Sequence, residues 1–156
     1  MKKKVLFVCL GNICRSPAAE AIFTHYMKEN NDENFEFQSA GTSGLHAGEM
    51  ADERMILALH EQGIPCPSIS RQITHSDFEL FDYIVAMDDS NYQNLLRQNV
   101  IKDYEYKILK MRDFFSDEFK AFIEVPDPYY GEKKDFILVI DILKSSIQNF
   151  IKHINN

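Results

Sequence analysis

The chain is predicted to fold as an α/β protein, a doubly wound parallel sheet with helices on both faces. Three observations predict it. Val5-Leu-Phe-Val8 and Tyr83-Ile-Val-Ala-Met87 are continuous apolar runs, the pattern of strands buried on both faces. Each is followed by a polar loop and then by apolar residues at helical spacing. An apolar stripe of Phe136, Val139, Ile140, Leu143, Ile147, Phe150, Ile151 and Ile154 closes the chain as one long amphipathic helix suited to covering a sheet face. Strands alternating with helices imply parallel pairing, and ligands of such sheets bind beyond the carboxyl ends of the strands. The segments Leu10 to Ser16 and from Asp88 onward fall there.

The elements follow in order. Pro17 stands where a helix can begin, and Ala18, Ala21, Ile22 and Tyr26 continue it until Asn30 to Asn34 break it. Phe35 and Phe37 alternate with polar residues into Ser39-Ala-Gly41, a second strand. A helix is expected over about Met50 to Gln62, with Gly63 as a left-handed cap, and Pro65 and Pro67 enforce a loop. Asp88-Asp-Ser-Asn91 offers capping chemistry for a helix carrying Leu95 and Leu96. Tyr106 to Lys110 is a weaker fourth strand.

With 156 residues, 45% of them hydrophobic, and no internal repeat or low-complexity linker, the chain is expected to form one domain over residues 1–156. A formal net charge of −7 argues against a nucleic-acid partner, whose phosphates require accumulated Lys and Arg. The Lys2-Lys-Lys4 start before Val5 to Leu10 imitates a signal peptide, but the apolar stretch is too short and reads as a strand. Phe136 to Leu143, interrupted by Asp141, is too short to span a bilayer, so no membrane association is expected. Three cysteines make no disulfide framework and fit a reducing, cytoplasmic setting.

After the first strand comes Cys9-Leu-Gly-Asn-Ile-Cys-Arg15-Ser16-Pro17. A Cys and an Arg at this spacing arise by chance in about one such chain in seven, so the context carries the argument. A loop between a strand and a helix N-terminus can curl until its backbone N–H groups, from Leu10 through Ser16, point inward as an oxyanion nest. Gly11 and Asn12 tolerate the left-handed angles that curling needs. The same N–H groups and helix dipole favour a thiolate at Cys9, a nucleophile. Arg15 offers a planar fork for two phosphate oxygens, which Lys does not. Ser16 can donate to the sulfur and improve it as a leaving group, or simply cap the helix. Cys9 and Cys14 lack zinc spacing and partners, and no metal is expected.

Asp127 lies in Val125-Pro-Asp-Pro-Tyr-Tyr-Gly131, where flanking prolines stiffen the backbone that aims its carboxyl group. A departing phenolate needs a proton that Asp127 could give, before activating water in a second step.

Through Val8-Cys-Leu-Gly-Asn-Ile-Cys-Arg-Ser-Pro17 and Asp127-Pro-Tyr-Tyr130, the chain resembles the low-molecular-weight protein tyrosine phosphatase family. Ser39-Ala-Gly-Thr42, Arg71-Gln-Ile-Thr74, Phe81-Asp-Tyr83 and Met87-Asp-Asp-Ser-Asn91 extend the resemblance over nearly the whole chain in order. It implies four parallel strands, no metal or organic cofactor, and hydrolysis of phosphotyrosine through a phosphocysteine on Cys9, with Arg15 binding phosphate and Asp127 as acid and base. It further implies that Asn12 shapes the loop through bonds with Ser16 and Ser39, and that Leu10, Ile13, Tyr129 and Tyr130 wall the phosphotyrosine slot. Cys14 would protect an oxidised Cys9. The partners implied are tyrosine-phosphorylated proteins or peptides, met by a monomer or weak dimer. Two departures stand out. Leu45 replaces a frequent aromatic residue on the pocket rim, and Ser68-Ile-Ser-Arg71 lacks a frequent histidine, for which Ser68 or water is expected to substitute.

Two other readings use the same loop. An arsenate reductase of similar fold needs a downstream cysteine pair, whereas only Cys66 lies downstream, between Pro65 and Pro67. A non-catalytic oxyanion-binding module would not need Cys9, Arg15 and Asp127 together. The histidines read as scattered surface residues, with His46, next to Leu45, the one placed to touch substrate.

Overall fold

A computed structural model describes residues 1–99 and 103–155. Nine principal elements run β1 (Lys3–Cys9), α1 (Arg15–Glu29), β2 (Phe35–Gly41), α2 (Glu53–His60), α3 (His75–Leu80), β3 (Tyr83–Ala86), α4 (Asp89–Gln98), β4 (Ile108–Lys110) and α5 (Lys133–Ile154), with short 3-10 turns around β4. The four strands form one sheet in the order β2-β1-β3-β4, every pair parallel.

Burial explains why β1 reads as an unbroken apolar run. Val5, Phe7 and Cys9 face one core with α1 and α5, while Leu6 and Val8 face a second with Phe78 of α3 and Leu95 of α4. A strand covered on both faces has no use for alternation. The larger core is aromatic: Phe7, Phe23, Phe37 and Phe150 lie with ring centroids 4.8 to 6.2 Å apart. Each such ring contributes about 1.5–3 kcal/mol through burial.

Because β2 and β3 lie on opposite sides of β1, the chain leaves the sheet in opposite directions there, and a crevice opens beyond the carboxyl end of β1. The loop 10–14 occupies that crevice. Gly41, ending β2, permits the closest approach: a Cβ there would meet the Leu10 carbonyl oxygen at 2.7 Å and the Ser43 carbonyl oxygen at 2.9 Å. Thr42 and Ser43 N–H groups donate to the Cys9 and Leu10 carbonyls at 2.9 Å, fastening the loop to the end of β2.

Several boundaries differ from the sequence reading. The second helix starts at Glu53 rather than near Met50, because Asp52 caps it by accepting the Arg54 N–H, and Met50 pairs with Ile69 in an isolated bridge. Gly63 is left-handed, at φ 76°, in the turn beyond the helix end. The fourth strand is only Ile108–Lys110, since residues 105–107 form a 3-10 turn. Helix α3 was not anticipated. Thr74 and Asp77 form a capping box that starts it, a pattern readable in Thr74-His-Ser-Asp77.

Candidate active site

Helix α1 begins at Arg15, so Ser16 lies in its first turn and does not cap it; Cys14, the cap residue, makes no side-chain capping bond. Pro17, also in the first turn, has no N–H to lose there. The loop before the helix owes its curl to Asn12, left-handed at φ 56°; Gly11 does not share that conformation, against expectation. Asn12 is 1% exposed and fixed from three directions. Its Nδ2 donates to Ser16 Oγ at 2.8 Å, its Oδ1 accepts the Arg71 N–H at 3.0 Å, and its carbonyl accepts the Ser70 hydroxyl. These bonds offset the roughly 1–2 kcal/mol that a left-handed non-glycine residue costs.

Two expectations about this network are corrected. Ser39 does not reach Asn12: its hydroxyl donates to Glu20 Oε1 at 2.7 Å, and burial raises that carboxyl group's pKa. The substitute for the missing imidazole is Ser70, two residues beyond Ser68, which instead lines a small cavity with Pro17 and Cys66.

Cys9 Sγ lies 3.0 Å from Ser16 Oγ. Asn12 already donates to that oxygen, so the single Ser16 proton can go to the sulfur at 3.0 Å or to the more distant Ala40 carbonyl at 3.5 Å. Arg15 is 4% exposed, and its Nη1 donates to Asp88 Oδ2 at 2.8 Å and to the Val125 carbonyl at 3.0 Å. Burial opposes its charge, but the Cys9 sulfur, Asp88 and Asp127 outweigh burial and hold the guanidinium protonated above its ordinary range. Asp88 also caps α4, accepting the Asn91 N–H at 2.7 Å. The sequence places Asp88 beyond the carboxyl end of its strand, as capping chemistry for the next helix; its bond to Arg15 spans 73 positions and leaves no local signal.

Cys9, Leu10, Gly11, Ile13, Cys14 and Arg15 line one side of a cavity of about 300 Å³, and Leu45, His46, Asp127, Tyr129 and Tyr130 line the other. The sequence-predicted pocket residues Leu10, Ile13, Leu45, Tyr129 and Tyr130 therefore meet in one place, and His46 joins them, as its position next to Leu45 suggests. Asp127 is the one carboxyl group in that lining among the described residues, with Oδ2 3.8 Å from Arg15 Nη2 and Oδ1 accepting the Tyr129 N–H at 3.1 Å. Asp89 is instead drawn to Lys110 at 3.2 Å. Arg54 sits over the Tyr129 ring at 5.4 Å and over Phe136 at 4.7 Å, bracing the segment that carries Asp127.

The sequence profile of the low molecular weight phosphotyrosine protein phosphatases matches residues 4–156. The chain belongs to that family. It is 46% identical to the human low molecular weight phosphotyrosine protein phosphatase over 136 residues, covering 86% of this chain and 84% of the human one. A crystal structure of a protein tyrosine phosphatase from Entamoeba histolytica superposes with a TM-score of 0.93 at 46% identity, covering 99% of this chain and 97% of that one. A Drosophila arginine phosphatase matches with a TM-score of 0.90 at 31% identity, over 100% of this chain and 99% of that one. The fold is thus shared by enzymes named for two different phosphoresidues. Among the described residues, no helix is long and apolar enough to cross a membrane.

Proposed function

We propose that this family member, acting as a single phosphatase domain over residues 1–156, hydrolyses phosphotyrosine in proteins or peptides. The observation that carries the reading is the contact of Cys9 Sγ with Ser16 Oγ at 3.0 Å, on the floor of a cavity bounded by Arg15 and Asp127. Cys9 Sγ attacks phosphorus in line with the aryl oxygen; the S–P bond forms as the P–O bond breaks, and Asp127 gives its proton to the departing phenolate. With Nη1 of Arg15 occupied by Asp88 and Val125, its Nε and Nη2 edge is left for two phosphate oxygens. In the second step water attacks phosphorus, the Asp127 carboxylate takes the water's proton, and Cys9 leaves as a thiolate that the Ser16 hydroxyl stabilises. Backbone N–H groups from Leu10 to Ser16 hold the phosphate oxygens throughout. Leu10, Ile13, Leu45, Tyr129 and Tyr130 give the phenyl ring apolar and aromatic walls.

The test compares para-nitrophenyl phosphate and matched phosphotyrosine and phosphoarginine peptides, scored by phosphate release. Phosphotyrosine should exceed phosphoarginine in kcat/KM, and the reverse order would move the chain to the specificity named for its Drosophila neighbour. Arg15→Lys should lower kcat/KM by about 10²-fold while keeping the charge, because an ammonium cannot make the bidentate contact. Near wild-type kcat/KM would remove Arg15 from the phosphate site.

Cys66 is no partner for an exchange relay. It is buried, its thiol facing the Pro17 carbonyl at 3.8 Å, and burial followed by the Glu20 charge pushes its pKa up to about 11. Cys14 shares the cavity with Cys9, and burial, then the charges of Asp52 and Cys9, keep it a neutral thiol. Peroxide would oxidise the Cys9 thiolate to a sulfenic acid, removing one of those charges. The Cys14 thiol then displaces hydroxide from Cys9, giving a disulfide and water. Inactivation by peroxide should therefore be reversed by dithiothreitol in the wild type and recovered several-fold less in Cys14→Ser. Equal recovery, with no Cys9–Cys14 peptide on mapping, would leave Cys14 a packing residue. The three free cysteines suit a reducing cytoplasm, where we place the protein as a monomer or weak dimer.

A further inference from the structure

Beside the cavity at Cys9 lies a larger one of about 890 Å³, lined by residues 49–54 and by Ile56, Leu57 and His60 against Tyr129. The two share Ile13, His46 and Tyr129, so they make one continuous depression with the Cys9 loop at one end. The chemistry described above uses none of the larger end. Met50 and Leu57 stand there 63% and 57% exposed. Two large apolar side chains left in water beside a cavity are uncovered surface that gains from a partner.

The charges at this end are unequal. Asp52 and Arg54 satisfy each other through two side-chain bonds of 3.1 and 2.9 Å, and Glu49 meets His46 at 3.1 Å. Glu53 has no cation within ion-pair distance among the described residues. The larger cavity therefore joins apolar side chains to a carboxylate excess, a poor seat for phosphate-rich or anionic-membrane partners and a good one for an apolar, basic peptide segment.

A phosphotyrosine with its phosphate at Arg15 has its ring against Ile13 and Tyr129, the walls common to both cavities, so its main chain emerges at their junction. Two or three extended residues advance about 7–11 Å from that point, enough to enter the larger cavity. We propose, resting on the phosphatase reading above, that the larger cavity is a subsite for the residues flanking phosphotyrosine in a peptide substrate. It takes an apolar side chain against Met50 and Leu57 and a Lys or Arg opposite Glu53.

The experiment measures kcat/KM of the full chain on phosphotyrosine peptides with alanine flanks, into which Leu, Lys or Glu is placed singly at each of the three positions on either side. Leu at one or two positions on one side should raise kcat/KM about tenfold, Lys nearby should raise it several-fold, and Glu should lower it. Met50→Ser and Leu57→Ser should erase the Leu advantage, and Glu53→Lys should reverse the preference between Lys and Glu. All three variants should turn over para-nitrophenyl phosphate, which is too small to reach the larger cavity, at wild-type rates. Flank-independent kcat/KM, or a preference that survives all three substitutions, would overturn the subsite while leaving the phosphatase reading intact. Failure of the wild type to hydrolyse para-nitrophenyl phosphate would instead refute the phosphatase reading and the subsite with it.

Discussion

Cys9→Ser should abolish turnover, with kcat on para-nitrophenyl phosphate falling on the order of 10⁴-fold or more, while the protein stays folded and still binds oxyanions. A serine hydroxyl is a poor nucleophile at neutral pH, because it stays protonated where a cysteine can ionise. Ser16, the nearest polar side chain, is itself pinned by Asn12. The fold should survive because Cys9 is 3% exposed at the end of a fully paired strand and the replacement is smaller by little more than the difference between sulfur and oxygen. The nest should survive too, since Asn12, Ser70 and Arg71 hold it without help from the sulfur. Inorganic phosphate should therefore still raise the Tm of the variant, as expected for a ligand that binds only the native state. Substantial residual turnover would show that the reaction does not pass through a phosphocysteine at this position.

The parts of this structure that were legible in the sequence are those governed by local rules. The strand Lys3–Cys9 announces itself because it is buried on both faces, and the C-terminal helix because its stripe runs for five turns. The curl of the Cys9 loop is visible in residue types that accept a left-handed backbone, although only Asn12 uses that freedom. What escaped depends on partners distant in sequence. Asp88 reads as a helix cap and is one, yet its other carboxylate oxygen anchors Arg15 across the sheet. Ser70 and Ser68 are the same residue type two positions apart in one extended segment, and only the path taken by that segment decides which faces the Asn12 carbonyl. Ser39 lies in β2, but its hydroxyl goes to a half-buried glutamate on α1, a stronger acceptor than Asn12. Such choices follow from packing, which no periodicity encodes.

Asp127→Ala should separate substrates by leaving group. For alkyl or unactivated phenyl phosphates, whose departing oxygen is strongly basic, kcat/KM should fall by about 10² to 10⁴, the usual contribution of a placed general acid. For para-nitrophenyl phosphate, whose phenolate departs with less proton assistance, the loss should be much smaller, so a plot of log kcat/KM against leaving-group pKa should steepen. Stability should hardly change, because the Asp127 side chain is 50% exposed and the one bond it surrenders within its own loop is to the Tyr129 N–H. The 3.8 Å approach to Arg15 is a weak pair at that exposure, and Asp88 already supplies the buried guanidinium with its close counter-charge. Phosphate binding should therefore persist in the variant, leaving the lost rate to be read as lost proton transfer. Asp127→Asn keeps the loop's acceptor for Tyr129 but cannot donate an acidic proton, and it should reproduce the steeper dependence. An equal loss across the leaving-group series would move the acid elsewhere, yet the other nearby carboxylates are already engaged. Asp88 is bound to Arg15 and the α4 cap, and Asp89 to Lys110, so the dependence on leaving group should belong to Asp127.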